Sequence, residues 1–573
     1  MGGCYAADTN VTQFGAVGDG VMDCTQTFQK ALDSASSTGG GVVYVPAGKY
    51  RFDGSIVVPT GVVLQGTHKS APLAMNADPS KLNGSVLLVY GGRGSEKGSP
   101  FITLNASATI AGFIINYPEW SQKVVPPVPY PPCILGKPGG DNCAVIDCAL
   151  LNPYEGIVFD QSARFLISNV QGYPIKRGIF VDRCYDIGKV ENIHFWPFGV
   201  SYDPNDPYCK WINMNGIAFE FARTDWQYVL NTFCFGYGVG YKFSEYKDGG
   251  CNGNFVGLGA DSCERAVLVE QAQAPGLLIT NGEFVGRWSS EDAVTCEIGP
   301  KVGGKVSLNN CSFWGPIDKC VTMNAPGGQF TANACNFVNW DVKSNGAPAI
   351  NLVAGQAIIQ GNTFVNGQNH VKIGPKVKSA IIMGNQTSDE MMIENAAGKK
   401  LISIGNTMNR IEFTKEALMS YRLYVGDDGD SKYLRGWSGR EPAREWTPAK
   451  GTKRWSIPGA QFTLPVVPGK EYKVSMDVSV PKFAIMPGGG LYANGKLVID
   501  LSKEQTKVLT GTLPAQKNNS VVLQLKVKNW LPKDVFPNNS DTRQLGASVR
   551  TITMSTKGAG KAIFNANTGE WMK

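Results

Sequence analysis

A chain of 573 residues exceeds what one ordinary globular core can close around, leaving several domains or one solenoid with an appendage as the alternatives. Its 68 glycines, scattered prolines and few long amphipathic runs favour strands and turns, and no stretch approaches the roughly 20 consecutive apolar residues of a membrane span. The net charge of +7 is uneven, with 22 Lys and Arg against 10 Asp and Glu from residue 430 onward; three histidines and no CxxC pair argue against a histidine or zinc centre.

The opening MGGC reads as an addition ahead of a mature domain, and Cys4 as an ordinary thiol, with a lipid-attachment cysteine as the alternative; no basic-then-apolar leader is present. In NVTQFGAVGDGVMDCTQTFQKALDSASSTGGGVVYVPAGKYRF, Gly18 and Gly20 permit a tight turn. Asp23 or Thr25 can cap a short helix through Ala35, and GGGVVYVP starts a strand. Two long insertions follow at one corner of the repeat, NYPEWSQKVVPPVPYPPCILGKPGGDN (116–142) and GVSYDPNDPYCKWINMN (199–215).

The middle of the chain repeats. Phe233, Phe255, Phe284, Phe313, Phe337 and Phe364 recur every 22 to 29 residues, about one rung of a β-helix. In phase with them run GIVFD (156–160), GIFVD (178–182), GIAFE (216–220), GYKFS (240–244), AVLVE (266–270) and AVTCE (293–297). Read in one register, these place Ile157, Phe159, Ile179, Val181, Ile217 and Phe219 inside the coil. Asp160, Asp182, Glu220, Glu270 and Glu297 then form one acidic file outside, with rungs about 4.8 Å apart. Cys311 and Cys335 fall at equivalent positions and Cys296 faces inward, so buried free thiols are expected rather than disulfides. After residue 425 the repeat stops, and alternating runs such as VVPGKEYKVSMDVSVP and SVVLQLKVKNWLP read as antiparallel strands.

The N-terminal stretch, followed by VVPTGVVLQG, resembles the opening module of the pectate-lyase-like superfamily. That resemblance implies an all-β chain: a right-handed parallel β-helix over 8–425 whose N-terminal helix plugs the open coil. A linker (426–445) and a β-sandwich (446–573), similar to the jelly-roll accessory domains of carbohydrate-active enzymes, complete the expected organisation. Trp455, Tyr492 and Trp530 of the latter are either sugar platforms or core. The motifs of the family-28 polygalacturonases are missing: no Gly-His-Gly occurs, and the one Asp-Asp pair, Asp427-Asp428, lies outside the rungs.

The superfamily hosts several chemistries, so function must come from the site. Two raised loops flanking low rungs would make a groove for a polymer beside the acidic file. The reading put first is a secreted, periplasmic or cell-surface glycoside hydrolase on a polysaccharide, with Asp182, Glu220 and Asp225 supplying acid and base or nucleophile. Asp160, Arg177, His194, Trp196, Trp211, Arg223 and Trp226 would bind substrate. A uronate-cleaving lyase is the alternative, with Arg177 or Arg223 as base and calcium on the acidic file as an option. A non-catalytic glycan-binding adhesin is the third. None of these requires a cofactor, a resident metal or nucleic acid, and the assembly is a monomer or homotrimer.

Overall fold

The computed structural model describes residues 9–572 apart from 70–77, 79–80, 289, 389, 408–410, 412, 445–450, 538 and 540. Cys4 therefore lies outside the described residues.

Among the described residues, 34 strands from Thr9 to Ile404 hydrogen-bond in parallel and wind into a β-helix with three faces. One face, the motif sheet, contains the strands Glu155–Asp160, Arg177–Asp182, Ile217–Phe221, Val239–Phe243, Arg265–Val269 and Val294–Ile298, each paired with its successor. Alternation along each strand sends Ile157, Phe159, Ile179, Val181, Phe219 and Phe221 into a fully buried core. The leading glycine of the motif has a steric cause. A Cβ at Gly178 would lie 2.3 Å from the Ala218 carbonyl oxygen of the next rung, so only glycine lets the two backbones approach.

The helix Thr25–Ser37 covers the N-terminal end, burying Phe28, Ala31, Leu32 and Ala35. Phe28 meets Tyr50 and Phe52 edge-on, with centroids 5.3 and 4.9 Å apart. Its N-cap is Cys24, without a side-chain cap, rather than Asp23 or Thr25. Asp23 instead accepts the backbone N–H and the hydroxyl of Thr25 at 3.0 and 2.6 Å, bracing the turn from outside.

Of the six recurring phenylalanines only Phe284, Phe313, Phe337 and Phe364 share a column, because loop lengths differ between rungs while the period stays similar. Phe233 lies opposite His194 on the outer side, and Phe255 belongs to another face. Phe337 stacks on both neighbours at 5.0 and 4.9 Å. Phe337→Ala is expected to cost about 3–5 kcal/mol, read from denaturant unfolding of the coil, since two ring faces lose their partner. All thirteen described cysteines are free and buried.

The last rung strand is Leu401–Ile404, and a second core begins at Ala417. It fills an antiparallel β-sandwich in which Thr452–Pro465 pairs with both Ser520–Lys526 and Ser548–Thr556. Within the expected linker 426–445, the described residues 426–444 do not run free. Its Leu434–Trp437 strand pairs with Thr452–Pro465, and Asp430 makes a buried two-pronged ion pair with Arg454 at 2.8 and 2.9 Å. Trp455 and Trp530 are core residues, packed edge-on at 5.7 Å, and the Tyr492 hydroxyl donates to the Gly488 carbonyl.

Candidate active site

The outward acids stand in two rows, not one. Opposite Ile179 lies Phe219, not Ile217, so Glu220 sits in register with Val158, Phe180 and Lys242, and Glu297 follows in that row after Leu268. The row through Asp160 and Asp182 continues to Ala222, Ser244 and Glu270. A two-residue slip keeps every side chain on its own face, so the alternating pattern is blind to it.

Glu220, 2% exposed, is the centre of an alternating charge chain. Arg177 bridges it to Glu155 at 3.1 and 2.7 Å, and Lys242 bridges it to Glu270 at 3.4 and 3.3 Å. Ser244 donates to Glu220 Oε1 at 2.5 Å and the Tyr246 hydroxyl approaches the same oxygen at 3.4 Å. Burial acts to raise this carboxyl, but Ser244, Arg177 and Lys242 outweigh it and hold it below the usual glutamate range. The Arg177 guanidinium lies 4.0 Å over the Phe180 ring, which itself meets Tyr246.

Asp182 and Asp225 share one organising residue. The backbone N–H of Arg223 donates to Asp182 Oδ1 at 3.0 Å, while its guanidinium grips both oxygens of Asp225, one at 3.1 Å. Burial pushes the Asp182 carboxyl up, helped by Asp160 one rung away and opposed by the N–H groups of Arg223 and Arg183. Asp225 goes the other way. Its burial is outweighed by hydrogen bonds from Arg223, Gln273 and Asn252, the last two at 3.0 and 3.1 Å. Asp160 is gripped by Arg183 at 2.8 and 2.5 Å. Trp226, next to Asp225, is 62% exposed and held at φ +50°, a conformation disfavoured for a bulky residue and fixed by Asn252 accepting its N–H at 3.0 Å.

Two expected members stand elsewhere. His194 and Trp196 belong to the adjacent face, where the imidazole packs against Phe198 and Phe233 at 5.4 and 5.3 Å; burial lowers its pKa, leaving a neutral packing ring. The corner between the two faces turns them away from the acids. Nor do the two insertions form separate walls. Trp120 Nε1 donates to the Tyr208 hydroxyl at 2.6 Å, and Gln122 bonds the backbone of Ser201 in both directions, so they join in a canopy beside the strand entries. The second insertion folds into the helix Pro207–Asn215, capped by Asp206, and places Trp211 6.3 Å from Tyr154 at the edge of the site.

Residues 9–110 match the family model described as rhamnogalacturonase A/epimerase, pectate lyase-like. Over this stretch the chain is similar to the pectate-lyase-like superfamily, as its opening residues implied. It is 37% identical over 167 residues to mannuronan C5-epimerase AlgE4 of Azotobacter vinelandii, covering 27% of each chain. It is 31% identical over 122 residues to alginate lyase 7 of the same organism, covering 19% of this chain and 14% of that one. The chain thus spans about a quarter or less of the length of the curated relatives it matches. Among solved structures it is similar to a tailspike protein of E. coli bacteriophage HK620, at 12% identity and a TM-score of 0.44, covering 96% of this chain and 93% of that one.

Residue patterns placed Glu155 beside the groove but missed several other partners in this site: Arg183, Lys242, Ser244 and Tyr246. Lys242 and Ser244 were legible as the outward positions of the motif copy GYKFS, the one copy without an acid. Tyr246 lies on a loop and becomes a neighbour only through the fold. Asp160, Glu220 and Asp225 are each already held by Arg or Lys, and among the described residues no three His, Cys, Asp or Glu converge.

Proposed function

We propose that the outer face of the motif sheet is the active site of a glycoside hydrolase acting on a polysaccharide, with Asp182 as general acid and Asp225 as base or nucleophile. The observation that carries this reading is the single residue Arg223, which holds both carboxyls while their environments drive the proton affinities apart, up for Asp182 and down for Asp225. Exposed Trp226 offers a stacking surface beside them. Glu220, buried and ionised, organises the face instead of exchanging protons. A location outside the cytoplasm accompanies a polymeric substrate.

A second reading is proton abstraction beside a uronate carboxylate, by epimerisation or elimination. It is favoured by the Tyr246 hydroxyl against Glu220, flanked by Arg177 and Lys242, and by the relatives named as mannuronan epimerases and an alginate lyase. Incubation with neutral and uronate polysaccharides separates the readings. Hydrolysis yields new reducing ends without near-ultraviolet absorbance, elimination yields both, and epimerisation changes the proton NMR spectrum of the polymer without shortening it. Absorbing products or an unshortened, altered polymer would overturn hydrolysis.

A further inference from the structure

We infer that the cleft between the coil and the β-sandwich, with the exposed pair Trp288 and Trp314 at its approach, is a second, non-catalytic binding site for a polysaccharide chain. The inference rests on the polysaccharide reading above and adds a subsite to it.

The cleft encloses about 1070 Å3 and its lining is rich in side-chain amides, from Gln368 and Asn369 on the coil to Gln461, Gln524 and Gln544 on the sandwich. Amides offer donors and acceptors together, as sugar hydroxyls do. Gln368 lines the cleft, and its Nε2 is buried without a hydrogen-bond partner among the described residues, so a small rotation of this amide toward a ligand acceptor would gain a bond. The charged lining is largely self-neutralised, Lys372 by Glu394 at 2.9 Å, Lys343 by Asp292 at 2.6 Å and Arg543 by Glu441 at 2.8 Å. Such a cleft exerts little single-sign field and fits a neutral or sparsely charged polymer better than a polyanion.

The indoles supply the apolar component. Trp288 and Trp314 are 54% and 43% exposed and stand edge-to-face at 5.5 Å. Trp314 shares its outward row with Val338 and Val365, and Val365 lines an adjoining part of the same cleft. The platform therefore leads into the cleft. Trp288 lies in the connection between the strands Glu283–Gly286 and Val294–Ile298, and the latter is three rungs beyond the Glu220 strand, or about 14 Å along the coil. One extended polymer can reach both places.

The test uses the full chain carrying Asp182→Asn, to silence turnover, in affinity electrophoresis through gels containing alginate, homogalacturonan or a soluble β-glucan. Retardation by at least one polymer is expected, weakened about tenfold by adding Trp288→Ala with Trp314→Ala and by Gln368→Ala to a lesser degree; the paired Trp→Phe changes should retain most of it. With Asp182 intact, the paired Ala changes should raise KM for that polymer and leave kcat and the turnover of a short oligosaccharide unchanged. Retardation undiminished by the paired Ala changes overturns this site alone. No retardation of the Asp182→Asn chain by any of the three polymers counts against both this site and the proposed function.

Discussion

Asp182→Asn is expected to lower turnover by about 10²- to 10⁴-fold with the coil still folded, because an amide keeps the hydrogen bonds from Arg183 and Arg223 but has no proton to give a leaving group. Asp225→Asn should fall by a similar factor through loss of the ionised partner. Their pH signatures differ in sign. Activity should rise as pH climbs through the lowered pKa of Asp225, which must be ionised, and fall as pH climbs through the raised pKa of Asp182, which must be protonated. The working window thus opens below the ordinary aspartate value of 3.8 and closes above it, as far up as Asp182 is lifted. In the Asp182→Asn chain the alkaline limb should disappear from whatever activity remains. Steady-state kinetics across pH, with circular dichroism to check folding, measures all three; near-normal turnover in both variants would remove the assignment.

The second large effect is on stability, and it falls on Arg177 rather than on Glu220. In the series Glu155, Arg177, Glu220, Lys242, Glu270, deleting Glu220 leaves two neutral pairs, Glu155 with Arg177 and Lys242 with Glu270. Deleting Arg177 leaves Glu155 without its cation and Glu220 and Glu270 sharing Lys242, with Glu155 and Glu220 buried or nearly so. Arg177→Met is therefore expected to cost about 3–5 kcal/mol near neutral pH, and Glu220→Gln distinctly less. The pH dependence follows from linkage. The folded-state pKa of Glu220 is lowered, so in the parent chain its stabilising contribution is present above the unfolded value of about 4.5 and is lost as pH falls through the folded one. Without Arg177 two of the influences that lower this carboxyl are gone, so its pKa should lie above the parent's and the stability gap between variant and parent should narrow on acidification. Denaturant unfolding of the three chains at neutral and mildly acidic pH decides this; equal losses for Arg177→Met and Glu220→Gln would show that the charge chain does not act as a unit.

Much of the site was visible as residue types and little as geometry. Asp182, Arg223, Asp225 and Trp226 are close in space because Asp182 ends one strand and FARTDWQY follows the next, a relation the repeat itself supplies. Arg183 was equally adjacent yet passed over, since outward cations do not mark a rung. His194 and Trp196 looked like neighbours from chain proximity, but a bend between faces separates them. For the insertions, composition foretold bulk at one corner but not that Trp120 would find Tyr208.

The sequence by itself determined the coil, the plug at its N-terminal end, the inward thiols and the alternation of faces, because each follows from a local period of two within a rung and from glycines where backbones crowd. Only the tertiary structure decided which acids line up, which cations neutralise them and where the sandwich meets the coil. Register between rungs is set by the lengths of intervening loops and by the packing of whole side chains, and a slip of two residues leaves every local signal unchanged while moving Glu220 from the file of Asp182 into the grip of Arg177 and Lys242.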